Sequence, residues 1–185
     1  MPQFAHIRPG IRRLWSSDQP QLLEHFQRLD PETRRLRFGV SVSDMYLSDY
    51  TMKILSPDSV IFGAFPDDAL RGVAELRGLQ GNWHGSAELA LLVEPAWQHA
   101  GIGDALLNRL IAAAQNRGVK TLHMMCLREN VRMRNLAKKH KAKLEVNIGE
   151  YEATIDPSWP TPMSVFEEMF GDTRSYLDLI FPQPR

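Results

Sequence analysis

Ala87-Glu88-Leu89-Ala90-Leu91-Leu92-Val93-Glu94-Pro95-Ala96-Trp97-Gln98-His99-Ala100-Gly101-Ile102-Gly103 is the stretch that decides the fold. It reads as an apolar strand from Ala87 to Val93, a bend at Glu94-Pro95, a short loop and the start of an amphipathic helix. Every residue from Leu89 to Val93 is apolar, the pattern of a central strand covered on both faces. In the helix, Leu106, Leu107, Leu110, Ile111 and Ala114 share one side, and Gly118 stands where a helix-ending glycine belongs. Gly101 and Gly103 let the backbone turn tightly and bring N–H groups to a ligand without interference from a Cβ. They sit where the helix begins, so free N–H donors and the positive end of the helix dipole point the same way. Such a loop is either a phosphate cradle or a plain strand-to-helix turn.

The flanking sequence supplies the other elements. Residues 7–15 read as a first strand interrupted at Pro9-Gly10. Ser16-Ser17-Asp18 offers cap residues for a helix from Gln19 to Leu29, where Leu22, Leu23, Phe26 and Leu29 recur at helical spacing. Asp30-Pro31-Glu32 starts a second helix, which carries Arg34, Arg35, Leu36, Arg37 and Phe38. Its arginines read as a solvated face or as an edge lining a substrate. The segment from Val40 to Leu55, with Met45, Tyr46, Leu47 and Tyr50, reads as a short helix or a lid. Ser59–Phe65 and Arg71–Arg77 are β-rich runs around the turn Pro66-Asp67-Asp68, a hairpin. Thr121–Leu127 is the strand after the long helix. Arg128-Glu129-Asn130 leads into another helix with Met133, Leu136 and Ala137 on one face, and a last hairpin turns at Gly149. This order predicts an α/β domain with a mixed sheet.

Glu88 is the carboxylate the pattern singles out. At the start of a covered strand it is expected to be partly desolvated, which raises a carboxyl pKa toward the range useful to a general base. A solvated strand end is the alternative. The histidines at 84, 99, 123 and 140 form no metal-ligand spacing, so no metal is expected. Cys126 has no activating partner in sequence and reads as a small core residue.

Gln98-x-x-Gly101-x-Gly103 after Leu91-Leu92-Val93, with Asn130 past the next strand, resembles the acetyl-CoA site of the GNAT superfamily of N-acetyltransferases. The resemblance covers roughly Arg12 to Ile155. It implies a mixed, mostly antiparallel twisted sheet flanked by helices. It implies acetyl-CoA as cosubstrate, held by the backbone of Leu91, Leu92 and Val93, by the loop Gln98, His99, Ala100, Gly101, Ile102, Gly103 and Asp104, and by Asn130 and Met133. Glu32-Thr33 with Arg37-Phe38, and Ala87-Glu88 before the apolar run, resemble the bacterial protein-lysine acetyltransferase branch, in which this glutamate is the base. The expected reaction is therefore direct acetyl transfer to a primary amine, a protein lysine or else a small molecule. A non-catalytic acyl-CoA-binding regulator is the reading from another class. Three departures from the family pattern stand out. Asp104 puts a carboxylate near the proposed pyrophosphate. Ala137 replaces a tyrosine that often serves as general acid. Lys141 replaces a glycine.

Composition bounds the rest. The 185 residues suit one domain, residues 1–155, with a C-terminal helical extension, 156–185, that packs on the same domain or on a partner subunit in a homodimer. Lys and Arg number 22 and Asp and Glu 22, so no global field recruits nucleic acid. No apolar segment reaches bilayer length. A single cysteine excludes an internal disulfide, and a soluble, cytoplasmic protein is the expectation.

Overall fold

Three β-rich runs form the centre of the sheet: β2 (Ser59–Phe65), β3 (Gly72–Arg77) and β4 (Ser86–Val93). The computed structural model describes residues 10–79, 85–165 and 168. Before β2 come β1 (Gly10–Arg13), α1 (Gln19–Gln27), α2 (Pro31–Phe38) and α3 (Asp44–Ile54); after β4 come α4 (Ile102–Asn116), β5 (Thr121–Leu127), α5 (Val131–Lys139), β6 (Lys143–Val146) and β7 (Glu150–Ile155). The strands lie in the order β1-β2-β3-β4-β5-β7-β6. Every neighbouring pair is antiparallel except β4 and β5. The mixed, mostly antiparallel sheet flanked by helices is the expected fold class. Of the stretch from Val40 to Leu55, read as a short helix or a lid, residues 44–54 form the helix α3.

Two cores follow from the period-two alternation of the strands. Leu89, Leu91 and Val93 of β4 pack with Val60, Phe62, Ala74 and Leu76 against the apolar stripe of α4. Leu92 turns to the opposite face with Ile61 and Val73, which Leu22, Phe26, Leu47 and Ile54 of α1 and α3 cover.

Local chemistry fixes the helix starts. Asp30 caps α2 by accepting from the Thr33 N–H at 2.9 Å, and Asn130 caps α5 by accepting from the Met133 N–H at 3.1 Å. Asp18 precedes α1 without capping it. Its carboxylate is taken by Arg12, at 2.7 and 3.0 Å, and by the Trp15 N–H. Gly39 ends α2 at φ 77°, a left-handed conformation that favours glycine.

The parallel ladder between β4 and β5 is short. It runs through Ser86↔Thr121, Ala87↔Leu122 and Glu88↔His123 and then stops, while β4 continues beside β3 to Val93 and β5 continues beside β7 to Leu127. The two strands therefore part beyond Glu88, and the sheet opens into a cleft.

At the other end of the chain, Ser164 docks on the end of α4. Its hydroxyl donates to the Asn116 side-chain oxygen at 2.8 Å, and Asn116 donates to the Ser164 carbonyl. The apolar pieces expected at Phe166, Met169, Phe170 and 176–181 lie outside the described residues, as does the start of the first strand, residues 7–9.

Candidate active site

The Glu94 N–H bonds the Arg71 carbonyl across the β3 side, so alternation turns the amides of Leu91 and Val93 toward the cleft. The Gln98 side chain closes the end of that row by donating its Nε2 to the Val93 carbonyl at 2.8 Å. Its Oε1 is buried and has no partner. Gly101 stands at φ 79° immediately before α4, and a Cβ there would point into open space. Only a residue free to adopt positive φ turns the chain here without strain, which delivers the first amides of α4 to the cleft.

A groove of about 410 Å³ runs over these atoms. Leu91, Leu92, Val93, Gln98, His99, Gly101, Gly103, Asp104, Asn130 and Met133 all line it. Two of the loop residues do not. The Ile102 side chain is buried in the core and Ala100 packs against that core, so both offer backbone only. The groove also takes Thr33, Arg132, Asn135 and Lys139, which the sequence reading passed over. Residues 132, 135, 136 and 139 share one face of α5, so helical spacing from Asn130 was the available signal.

Asp104 faces the groove, yet its charge is balanced. His140 Nε2 lies 2.8 Å and Lys139 Nζ 3.0 Å from its Oδ1. Burial pushes the Asp104 carboxyl up, and the bonds from His140 and Lys139 more than reverse this, so it stays below the usual range. The carboxylate is thus answered from α5 rather than aimed alone at a phosphate.

A second cavity, of about 210 Å³, opens on the α2–α3 side. It shares Leu36, Arg37, Leu91, Asn130 and Met133 with the groove, so the two spaces meet. Glu88 lines it, together with Tyr46, Tyr50, Arg77, Met125 and Glu150. The expected desolvation of Glu88 is corrected here: its side chain is 54% exposed, and it accepts from Arg77, its directly facing partner on β3. The covered carboxylate is Glu75, two residues before Arg77, with only 1% exposure. Arg37 lies 2.6 Å from it and is itself 7% exposed. The Tyr50 hydroxyl donates to Glu75 and accepts from Arg37 at 2.7 Å. Burial and the Glu75 charge push the Tyr50 phenol upward, so it keeps its proton. Burial pulls Arg37 down, but Glu75 and Tyr50 outweigh it and the guanidinium is held charged. Arg37 is therefore no solvated helix residue. It belongs to a buried network with Glu75 and Tyr50, and it reaches both spaces.

Cys126 also borders this cavity, and burial pushes its thiol up, away from a nucleophile's thiolate. Among the described residues no cluster of three or more metal-binding side chains occurs. Among them, too, no helix is long and apolar enough to cross a membrane.

Residues 13–141 match the family model described as acetyltransferase (GNAT) family. The chain belongs to that family. As a GNAT acetyltransferase it carries out acetyl-CoA-dependent transfer of an acetyl group to an amine. No curated protein sequence matches the chain. Among solved structures, the GNAT domain of S. lividans PAT superposes with a TM-score of 0.70 at 19% identity, over 79% of this chain and 89% of that one. The PaiA N-acetyltransferase from Thermoplasma acidophilum, in complex with coenzyme A, gives 0.59 at 22%, over 79% and 97%. Spermidine N-acetyltransferase from Vibrio cholerae, in complex with CoA and spermine, gives 0.65 at 16%, over 80% and 94%. At these identities the likeness is one of fold. These structures are GNAT proteins of several types, so the likeness does not single out the lysine-acetylating branch.

The groove fits the cosubstrate. It offers outward amides on β4, the amide end of α4 freed by Gly101, an unsatisfied Gln98 oxygen, and two cations, Arg132 and Lys139, on its α5 wall.

Proposed function

We propose that this acetyltransferase modifies a primary amine by direct attack, with Glu88 as general base and a protein lysine as acceptor. The observation that carries the reading is the junction of the two spaces. Glu88 lines the acceptor cavity, and that cavity meets the groove at Leu91 and Asn130. An amine enters protonated, since a lysine has a pKa of about 10.4. Glu88, directly or through a water, takes that proton. The free nitrogen then attacks the thioester carbonyl. The C–N bond forms, the C–S bond breaks, and CoA leaves as the thiolate; the nitrogen gives up its second proton to solvent, and the thiolate takes one up from solvent. A backbone N–H among Leu91 to Val93 holds the oxyanion. The loop from Gln98 to Asp104 holds the pyrophosphate, and Asn130 the pantetheine arm while it caps α5.

The half-exposed setting of Glu88 supports this role. A base that works on an incoming ammonium needs access to it, and Arg77 holds the carboxylate in place. Incubation with acetyl-CoA and a cell lysate tests the acceptor. New acetyl-lysine sites are the expected result. Turnover of small amines without protein acetylation would transfer the assignment to a small-molecule acceptor. Tight CoA binding with no transfer to any amine would make the protein an acyl-CoA-binding regulator.

A further inference from the structure

Not every charged side chain on the acceptor cavity has an ion-pair partner. Arg37 is matched by Glu75 and Arg77 by Glu88. Glu150, at the start of β7, has no hydrogen bond or ion pair from its side chain to any described residue, yet it lines the same cavity and is half-buried. A partly covered, uncompensated carboxylate in a space that receives an amine is an attractive position for a cation. Tyr46 and Tyr50 line the same cavity.

Strand register gives the spacing. Glu88 faces His123 on β5, and Glu150 faces Leu127 on the same strand. His123 and Leu127 are four apart, so Glu88 and Glu150 leave the same face of the sheet. They stand four residues along it and two strands across, with Cα atoms roughly 16 Å apart.

We infer that Glu150 is the specificity-determining residue for the acceptor, holding a second positive charge on the molecule whose other amine is acetylated at Glu88. The acceptor is then an amine that carries a second ammonium or guanidinium group. A free aliphatic diamine and a lysine beside a basic residue both present this chemistry. The inference rests on the reading of Glu88 as the base.

The test is a titration of CoA-loaded protein with 1,6-diaminohexane and with hexylamine, which differ in one terminal ammonium. The wild-type protein is expected to bind the diamine about five- to tenfold more tightly than the monoamine, the scale of one partly buried ion pair. Glu150→Gln is expected to abolish that preference, leaving hexylamine and acetyl-CoA binding and the melting temperature unchanged. Glu145→Gln on the exposed strand β6 is expected to preserve the preference. In turnover, Glu150→Gln raises KM for the diamine and leaves kcat unchanged. Equal binding of both amines by the wild-type protein would overturn the inference, as would a preference that survives Glu150→Gln. A preference with no acetyl transfer to any amine would instead strike the transferase reading alone. Lysine peptides with and without a neighbouring arginine repeat the comparison, and the lower KM of diamine or basic peptide identifies the source.

Discussion

A glutamate stands near each end of β4, and the two meet opposite fates. Glu88, at the start, is 54% exposed, opens onto a cavity and has one cationic partner. Glu94, just past the end, is 11% exposed and is held by three side chains. Arg28 donates to it at 2.8 and 3.1 Å, Arg71 at 3.0 Å, and His25 Nδ1 at 3.0 Å. Burial pushes the Glu94 carboxyl up, and the bonds from His25 and Arg28 more than reverse it, so it lies below the usual range. The difference shows that position on a covered strand does not decide whether a carboxylate is desolvated. What decides is which helix arrives over it. α1 brings His25 and Arg28 onto Glu94, while α2 and α3 leave Glu88 at the mouth of a cavity and cover Glu75 instead.

If the two ends divide the labour of chemistry and stability, substitutions should separate them. Glu88→Gln is expected to lower kcat by about 100-fold or more, the scale of a lost general base, with acetyl-CoA affinity and melting temperature unchanged. Steady-state kinetics beside thermal unfolding checks this, and unchanged turnover would remove Glu88 from the mechanism. Glu94→Gln should do the reverse. It leaves the partly buried Arg28 and Arg71 short of their partner and is expected to cost about 2–4 kcal/mol of stability, with turnover per folded molecule preserved. Denaturant unfolding measures it.

The pH dependence sharpens the same contrast. Glu94 has a folded pKa below its unfolded one, so its contribution is complete above the unfolded value of about 4.3 and disappears as pH falls through the folded value. Wild-type stability should therefore decline through that acid range more steeply than that of Glu94→Gln. Parallel curves would show that Glu94 contributes no linked proton.

The two helix caps allow a finer comparison. Asp30→Ala and Asn130→Ala each remove a side-chain cap and should each cost about 1 kcal/mol. Only Asn130 also lines the groove. Its loss should weaken acetyl-CoA binding as well, while Asp30→Ala leaves that affinity unchanged. Equal affinities in the two variants would reduce Asn130 to a cap.

Much of this was legible in the sequence because it is local. The apolar run of β4, the cap residues Asp30 and Asn130, the stripe of α4 and the glycine at 101 each impose a backbone conformation within a few residues. Glu88 could be placed on its strand for the same reason. Its exposure could not, because that depends on where α2 and α3 settle. For that reason too, the sequence left Arg37 between a solvated helix face and a substrate-lining edge, and Glu75, inside an ordinary strand pattern, drew no attention. The opening between β4 and β5 was equally hidden. It follows from a parallel ladder that stops after three pairs, and no residue pattern in either strand marks that stop.

The most direct test of the central claim is calorimetric titration of acetyl-CoA into purified, CoA-free protein, wild type and Gly101→Glu. That substitution places a side chain in open space at the amide end of α4, forces a non-glycine residue to φ 79° and adds a charge that repels phosphate. The account predicts saturable binding by the wild-type protein that is lost in a still-folded variant. Equal binding by both would contradict the assignment of the loop as the phosphate cradle, and absence of binding by the wild type would contradict the acetyl-CoA site itself.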